Sequence, residues 1–218
     1  MLDNKDITSK KLLIITGPQG SGNHLFSRLF SLHDDVGGWK ELNDQYWVPS
    51  DEETFAEYWV HPEKLKDFDF SEHNYWVANV SCPFMYDGVR YVPKFADECK
   101  QLGIDVTIGI IVRDKNINEA QQLRVRKEVT MPIALDYYYD NLLDYDTHFL
   151  DHEAFFLHEA HYLKYINKVL DFPIAYDNPD IMKFIDEDAN HKYVKYVDEY
   201  WLDKEVLDGI RTKKERNV

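Results

Sequence analysis

The sequence has few cysteines, no long apolar run and a shortage of positive charge. Cys82 and Cys99 are the only cysteines in 218 residues, too few for a disulfide framework, which predicts a reduced intracellular compartment. No signal peptide or membrane-length apolar segment is recognisable, so we expect a cytoplasmic protein without membrane contact. The formal net charge of −15 disfavours non-specific binding to nucleic acid. A polyanionic ligand would therefore need a local basic pocket.

The composition is that of a folded globular protein. Hydrophobic residues make up 44% of the chain and aromatic residues 15%, enough to build one substantial core. We expect a single domain over residues 1–218, with a flexible charged tail over about 211–218.

Hydrophobic patterning predicts strands that alternate with helices. Strands are predicted over residues 11–16, 75–80, 106–112 and, as a short last strand, 172–176. Helices are predicted over 21–32, 93–102, 116–128, 153–170 and 179–186, with helical patches over 52–59 and 62–67 and a loop over 33–51. This alternation is typical of an α/β three-layer sandwich with a mainly parallel central sheet.

A glycine-rich loop joins the first predicted strand to the first helix. It reads Gly17-Pro18-Gln19-Gly20-Ser21-Gly22-Asn23-His24. Backbone N–H groups of such a loop, together with a helix N-terminus, can hold a phosphate. Asn23 and His24 stand where the ATP-binding pattern has its lysine and its magnesium-binding hydroxyl, which argues against ordinary ATP hydrolysis. The alternative is a tight turn that uses its glycines only for backbone freedom.

Arg113 and the helix after it form the densest basic patch of this acidic chain. Arg113 closes the most apolar predicted strand, and side chains at a strand's carboxyl end face the crevice where α/β sheets bind ligands. Gln121, Arg124 and Arg126 follow on the next predicted helix. The patch predicts a phosphate site. The alternative is a surface pair between Arg113 and Asp114 beside a solvated helix face.

Other acids and histidines of the sequence are candidates for catalysis or metal binding. Glu41, just beyond the loop helix, is a candidate general base, although an exposed acid in a loop is the commoner fate. His158 and His161 flank Glu159 at one residue less than the zinc pattern H-E-x-x-H requires. We therefore predict no metal site and expect His152, His158 and His161 to be partly buried structural residues.

Taken together, the motifs resemble those of the sulfotransferase family. The loop up to His24, with Leu25-Phe26, is similar to that family's S-G-T-T-x-L loop, and Leu29 to Val36 with Glu41 is similar to its L-L-x-x-H-P-D-V … E continuation. Val112-Arg113-Asp114 resembles its V-R-D strand end, and residues 172–177 its late strand ending in Y-E-D. The chain departs from the family at Gln19-Gly20, where Lys or Arg precedes the S-G pair, and at Gln121, where a serine is expected.

The resemblance implies a P-loop NTPase-like fold and transfer of a sulfuryl group from 3′-phosphoadenosine 5′-phosphosulfate (PAPS), leaving the bisphosphate PAP. The loop, with Asn23 and His24, would bind the 5′-phosphosulfate, and Arg113 the 3′-phosphate. Glu41 would deprotonate a hydroxyl or amine of a small molecule or sugar, and His24 would serve as a cation or acid. Alternatives are a divergent kinase of a nucleotide or modified base using ATP with Mg²⁺, and a noncatalytic ligand-binding scaffold.

Overall fold

The protein is built on one parallel β-sheet. The computed structural model describes residues 10–39, 53–82 and 92–186, and all statements below concern these ranges. The strands are β1 (Lys11–Pro18), β2 (Val36–Gly37), β3 (Tyr75–Cys82), β4 (Asp105–Val112) and β5 (Asp146–Asp151). They pair in the order β2-β3-β1-β4-β5. The first strand in sequence is therefore the middle strand of the sheet.

Helices connect the strands and cover the sheet. They are α1 (Asn23–Phe30), α2 (Ala56–Val60), α3 (Val92–Gln101), α4 (Lys115–Arg126), α5 (Met131–Asn141), α6 (His152–Leu170) and α7 (Asp180–Asp186), with 3-10 turns at Pro62–Asp67 and Phe70–Glu72. In the part of the chain that the structure describes, no helix has the length and apolar character needed to cross a bilayer.

The two faces of the sheet bury separate cores, which confirms the predicted α/β architecture. Alternate residues of β1 divide between them: Leu12 and Ile14 face one core, Leu13 and Ile15 the other. Side chains from α2, α3 and α5 complete the first core, and those from α1, α6 and α7 complete the second. Both faces of β1 are dry, as its continuous apolar run predicts. Cys82 and Cys99 lie buried in the first core as free thiols.

An aromatic cluster anchors the first core. Phe55, 1% exposed, has five aromatic rings around it within about 6.3 Å between centroids. They belong to Tyr58, Phe68, Phe70, Trp76 and Phe95. The described aromatic residues of this cluster therefore contribute to packing of the first core.

The structure corrects the prediction of the last strand. Residues 172–176 form no strand, although Phe172 and Ile174 are buried against the second core. The fifth strand is β5, which was missed because its sequence is mostly polar and its burial alternates little. As an edge strand it leaves Phe149 half exposed. Helix α5 was missed too, and the expected loop over 33–51 contains the short strand β2; residues 40–52 and the tail over 211–218 lie outside the described ranges.

Replacement of Phe55 by alanine should test the aromatic cluster. We expect Phe55→Ala to lower the free energy of unfolding by about 3–5 kcal/mol, because it leaves a cavity among five rings. Urea denaturation measures the change. Tyr139→Ala, whose side chain is 63% exposed, serves as the control and should change stability by no more than about 0.5 kcal/mol. Equal effects of the two variants would contradict the packing described.

Candidate functional site

A cavity lies at the carboxyl edge of the sheet. Its volume is about 210 Å³. The wall is formed by residues that follow or end β1, β3, β4 and β5, together with α1, α4, α6 and α7: Gly20, Gly22, Asn23, His24, Leu25, Arg28, Ser81, Arg113, Gln121, Arg126, His152, Phe156 and Phe184. Parallel α/β sheets place their ligand sites at this edge.

Glycines fix the path of the loop between β1 and α1. Gly20 and Gly22 have φ of 87° and 109°, values that favour glycine. Gly17 has another reason: a Cβ there would lie 2.6 Å from Asn23 Oδ1 and 2.9 Å from the Ile111 carbonyl oxygen. The loop therefore needs glycine at positions 20 and 22 for backbone conformation, and at 17 for space.

Two polar side chains of the loop bond within the loop. Ser21 Oγ donates to Asn23 Oδ1 at 2.7 Å, and Asn23 Nδ2 donates to the Gly17 carbonyl at 3.3 Å. Both side chains are buried. Asn23 borders the cavity, but its amide bonds stabilise the turn. The position that holds a lysine in the ATP-binding pattern thus has a structural role here.

Arg113 connects the loop to α4. Its Nη1 donates to the Gly20 carbonyl at 2.7 Å and to Gln121 Oε1 at 2.6 Å. The structure thus brings both predicted residues to the cavity wall. Asp114, the partner of Arg113 in the alternative interpretation, has a helix-capping role. Its carboxylate accepts from the Ile117 N–H at 3.0 Å and caps α4.

Gln122 was not predicted as a site residue, yet it holds the neighbouring part of the loop. Its Nε2 donates to the Gln19 carbonyl at 2.8 Å, and its Oε1 accepts from the N–H groups of Thr130 and Met131 at 2.8 and 3.1 Å. The side chain is fully buried. Gln19 itself is buried and does not line the cavity. One amide therefore joins the loop, α4 and the start of α5.

Three arginines border the cavity. Arg126 of α4 and Arg113 were predicted, and Arg28 of α1 was missed. The Arg28 guanidinium lies 4.5 Å above the ring centre of Phe184. Arg124 does not border the cavity and is exposed, so the structure does not bring it together with the others. In a chain of net charge −15, this is a local concentration of positive charge.

His24 lines the same wall as a neutral base. Burial, and to a lesser extent the charge of Arg28, lowers the pKa of His24 from 6.5 to about 4. The lowered pKa favours the uncharged imidazole at neutral pH in the unliganded protein. Its ring meets Trp39 edge-on with 5.1 Å between centroids, and its Nε2 lies 3.7 Å from a carboxylate oxygen of Glu53.

The burial of His152, His158 and His161 differs from the prediction. His152 begins α6, is 2% exposed and lines the cavity, with its imidazole against Gly22, where a Cβ would lie 2.6 Å from His152 Cδ2. His158 and His161 are exposed rather than partly buried. Within the described ranges, no group of three His, Cys, Asp or Glu side chains is arranged to hold a metal ion. Glu41, the predicted base, falls outside those ranges.

The cavity combines charged and aromatic surfaces. Arg28, Arg113 and Arg126 supply cationic groups, and Phe156 and Phe184 supply aromatic rings. This combination suits a ligand that carries both an anionic group and a flat ring. Comparison of the sequence with models of known protein families and with curated proteins finds no match.

Replacement of Gln122 should test how the loop is held. We expect Gln122→Met to lower the free energy of unfolding by about 3 kcal/mol or more, since it leaves a buried carbonyl and two buried N–H groups without their partner. Chemical denaturation measures this. The control is Leu123→Ala on the same helix, half exposed to solvent, which should be nearly neutral. If the unfolding midpoint of Gln122→Met equals that of the wild type, these hydrogen bonds do not contribute to stability.

Proposed function

We propose that this cavity binds PAPS and that the protein transfers its sulfuryl group to a hydroxyl or amine of a small molecule or sugar. The observation that carries the proposal is that three arginines, Arg28, Arg113 and Arg126, line one cavity in a strongly acidic chain. Charge-assisted bonds from arginine are well suited to phosphate and sulfate oxygens. The sequence resemblance to sulfotransferases supports the same ligand.

Different parts of the cavity wall would bind different groups of PAPS. The phosphosulfate lies against the loop and the N-terminus of α1, where the N–H groups and the helix dipole favour negative charge. Arg28 and Arg126 hold the phosphates. Phe156 and Phe184 offer ring surfaces to the adenine. Arg113 acts on the loop itself, because it already binds the Gly20 carbonyl and the Gln121 amide.

The chemistry suits a loop without the ATP-binding residues. Sulfuryl transfer depends on alignment of donor and acceptor and on stabilisation of developing negative charge. A lysine at Asn23 and a magnesium-binding hydroxyl at His24 are not required for it. A kinase that lost both residues would lose much of its stabilisation of the transferring phosphoryl group. We therefore place sulfuryl transfer before phosphoryl transfer.

Calorimetric titration with PAP tests the proposal. We expect magnesium-independent binding that Arg126→Ala weakens about tenfold or more, because a hydrogen bond to a charged group contributes about 1.5–3 kcal/mol. Arg124→Ala is the matched control on the same helix: it removes an identical charge from an exposed position that does not border the cavity. It should leave the affinity within about twofold, since distant surface charges are screened.

Other outcomes would favour the alternative functions. Binding of ATP that requires Mg²⁺, together with weak binding of PAP, would favour a kinase. No binding of either nucleotide would favour a noncatalytic scaffold. Equal loss of affinity in the two arginine variants would show that overall charge, rather than this cavity, attracts the ligand.

A further inference from the structure

A buried carboxylate lies next to the cavity. Glu53, which precedes α2, is 7% exposed. Its Oε1 accepts a hydrogen bond from Asn79 Nδ2 at 3.1 Å and lies 3.7 Å from His24 Nε2. Burial of a carboxylate costs free energy, and such groups beside a cleft are often functional. His24, beside this carboxylate, forms part of the cavity wall.

The His24 imidazole beside this carboxylate has a ring nitrogen whose hydrogen-bonding capacity is unsatisfied. His24 Nδ1 is buried and has no hydrogen-bond partner among the described residues. A buried polar atom without a partner is unfavourable, and the hydroxyl of a bound molecule would supply the missing donor. With Nε2 towards Glu53, Nδ1 is the ring nitrogen left to accept a proton.

Charges of both signs surround this imidazole. Glu53 lies beside its Nε2, and Arg28, four residues further along α1, helps to lower its pKa. Arg113, Arg126 and His152 line the same cavity as His24. The charge of Arg28 disfavours protonation of His24 in the unliganded protein. A bound polyanion offsets this positive charge and leaves the Glu53 carboxylate to stabilise an imidazolium.

We propose that His24 is the proton acceptor of the transfer reaction and that Glu53 is its positioning residue. This inference rests on the proposed function. The acceptor oxygen attacks the sulfur of PAPS, and the bond from sulfur to the bridging phosphate oxygen breaks. PAP leaves with the electron pair of that bond, and the proton of the acceptor hydroxyl passes to His24 Nδ1. The imidazolium, held by Glu53 through Nε2, then returns its proton to solvent.

The pair does not include Glu41, the base that the sequence resemblance implied. His24 is fixed by α1 and by its edge contact with Trp39. Glu53 is fixed by Asn79, whose strand β3 pairs with β1 directly. Both partners are thus held by the central sheet and the helix that borders the cavity. Such support is what a catalytic base requires for its alignment.

Release of PAP from PAPS, with water as the sulfuryl acceptor, tests the role of Glu53. Glu53→Gln keeps the shape of the side chain and its ability to bond Asn79. We expect it to lower kcat about tenfold or more and to move the inflection of the kcat–pH profile to lower pH, because the imidazolium loses its counter-charge. His24→Asn should lower kcat about 10²-fold or more and abolish that inflection.

Matched measurements separate this role from a structural one. Glu57→Gln, four residues along the chain, removes an exposed carboxylate that pairs with Lys64 and should leave kcat and its pH profile unchanged. PAP affinity of Glu53→Gln, from calorimetry, should stay within about threefold of wild type. A Glu53→Gln variant with the wild-type kcat and pH profile, or one that changes only KM, would overturn the inference.

Failure of the proposed function can be told apart from failure of the pair. If the wild-type protein neither binds PAP nor turns over PAPS, the sulfotransferase proposal fails. The pair is then decided by the ¹⁵N NMR titration of His24. A lower His24 pKa in Glu53→Gln than in the wild type would support a coupled pair that serves another acceptor. Identical titration curves would overturn it.

Discussion

The loop after β1 keeps its shape because two side chains, one directly after β4 and one on α4, bind its carbonyl groups. Arg113 holds the carbonyl of Gly20, and Gln122 holds that of Gln19. Backbone carbonyls that turn away from a sheet need such partners when they are buried. Because Arg113 directly follows β4 and Gln122 lies on α4, the loop, the helix N-terminus and the cavity are positioned as one unit. The positions of the cavity-wall residues on the loop and on α1 depend on those bonds.

Charge distribution distinguishes the cavity from the chain as a whole. The chain repels polyanions as a whole, but Arg28, Arg113 and Arg126 meet at one edge of the sheet. A small anion that fits the cavity gains these contacts, whereas an extended polyanion also meets the acidic surface. The same environment keeps His24 neutral by burial and by the charge of Arg28. The same arrangement of residues therefore favours anions in the cavity and the uncharged form of the His24 imidazole.

The sequence predicted the fold where burial dictates the pattern. β1 and β4 are buried on both faces and carry continuous apolar runs, so they were recognised, as was α6. β5 was missed because an edge strand can be polar. Residues 172–176 include the apolar Phe172 and Ile174, which pack into the second core although the segment does not pair in the sheet. The glycines of the loop were informative because left-handed backbone needs them.

Side chains of the site were harder to predict. Arg124 and Arg126 are two positions apart, about 200° around a helix, so both could not face the cavity. Arg28 is four positions after His24 on one face of α1, a spacing that could have revealed it. Gln122 and Glu53 act through partners that are 103 and 26 residues away in sequence. No local pattern encodes such contacts, so only the structure shows them.

The attachment of α4 has a consequence for motion. The residues that α4 buries are Asn118 and Gln122, both polar, whereas Leu123 and Val125 are at least half exposed. Hydrogen bonds, unlike apolar packing, can be exchanged one at a time for bonds to water. We therefore expect this helix to open more readily than the central strand β1, and its amide protons to exchange with solvent before those of β1. An anion that bridges Arg126 to α1 would stabilise α4 against opening. Slower amide hydrogen exchange across α4 would then indicate that the anion is bound.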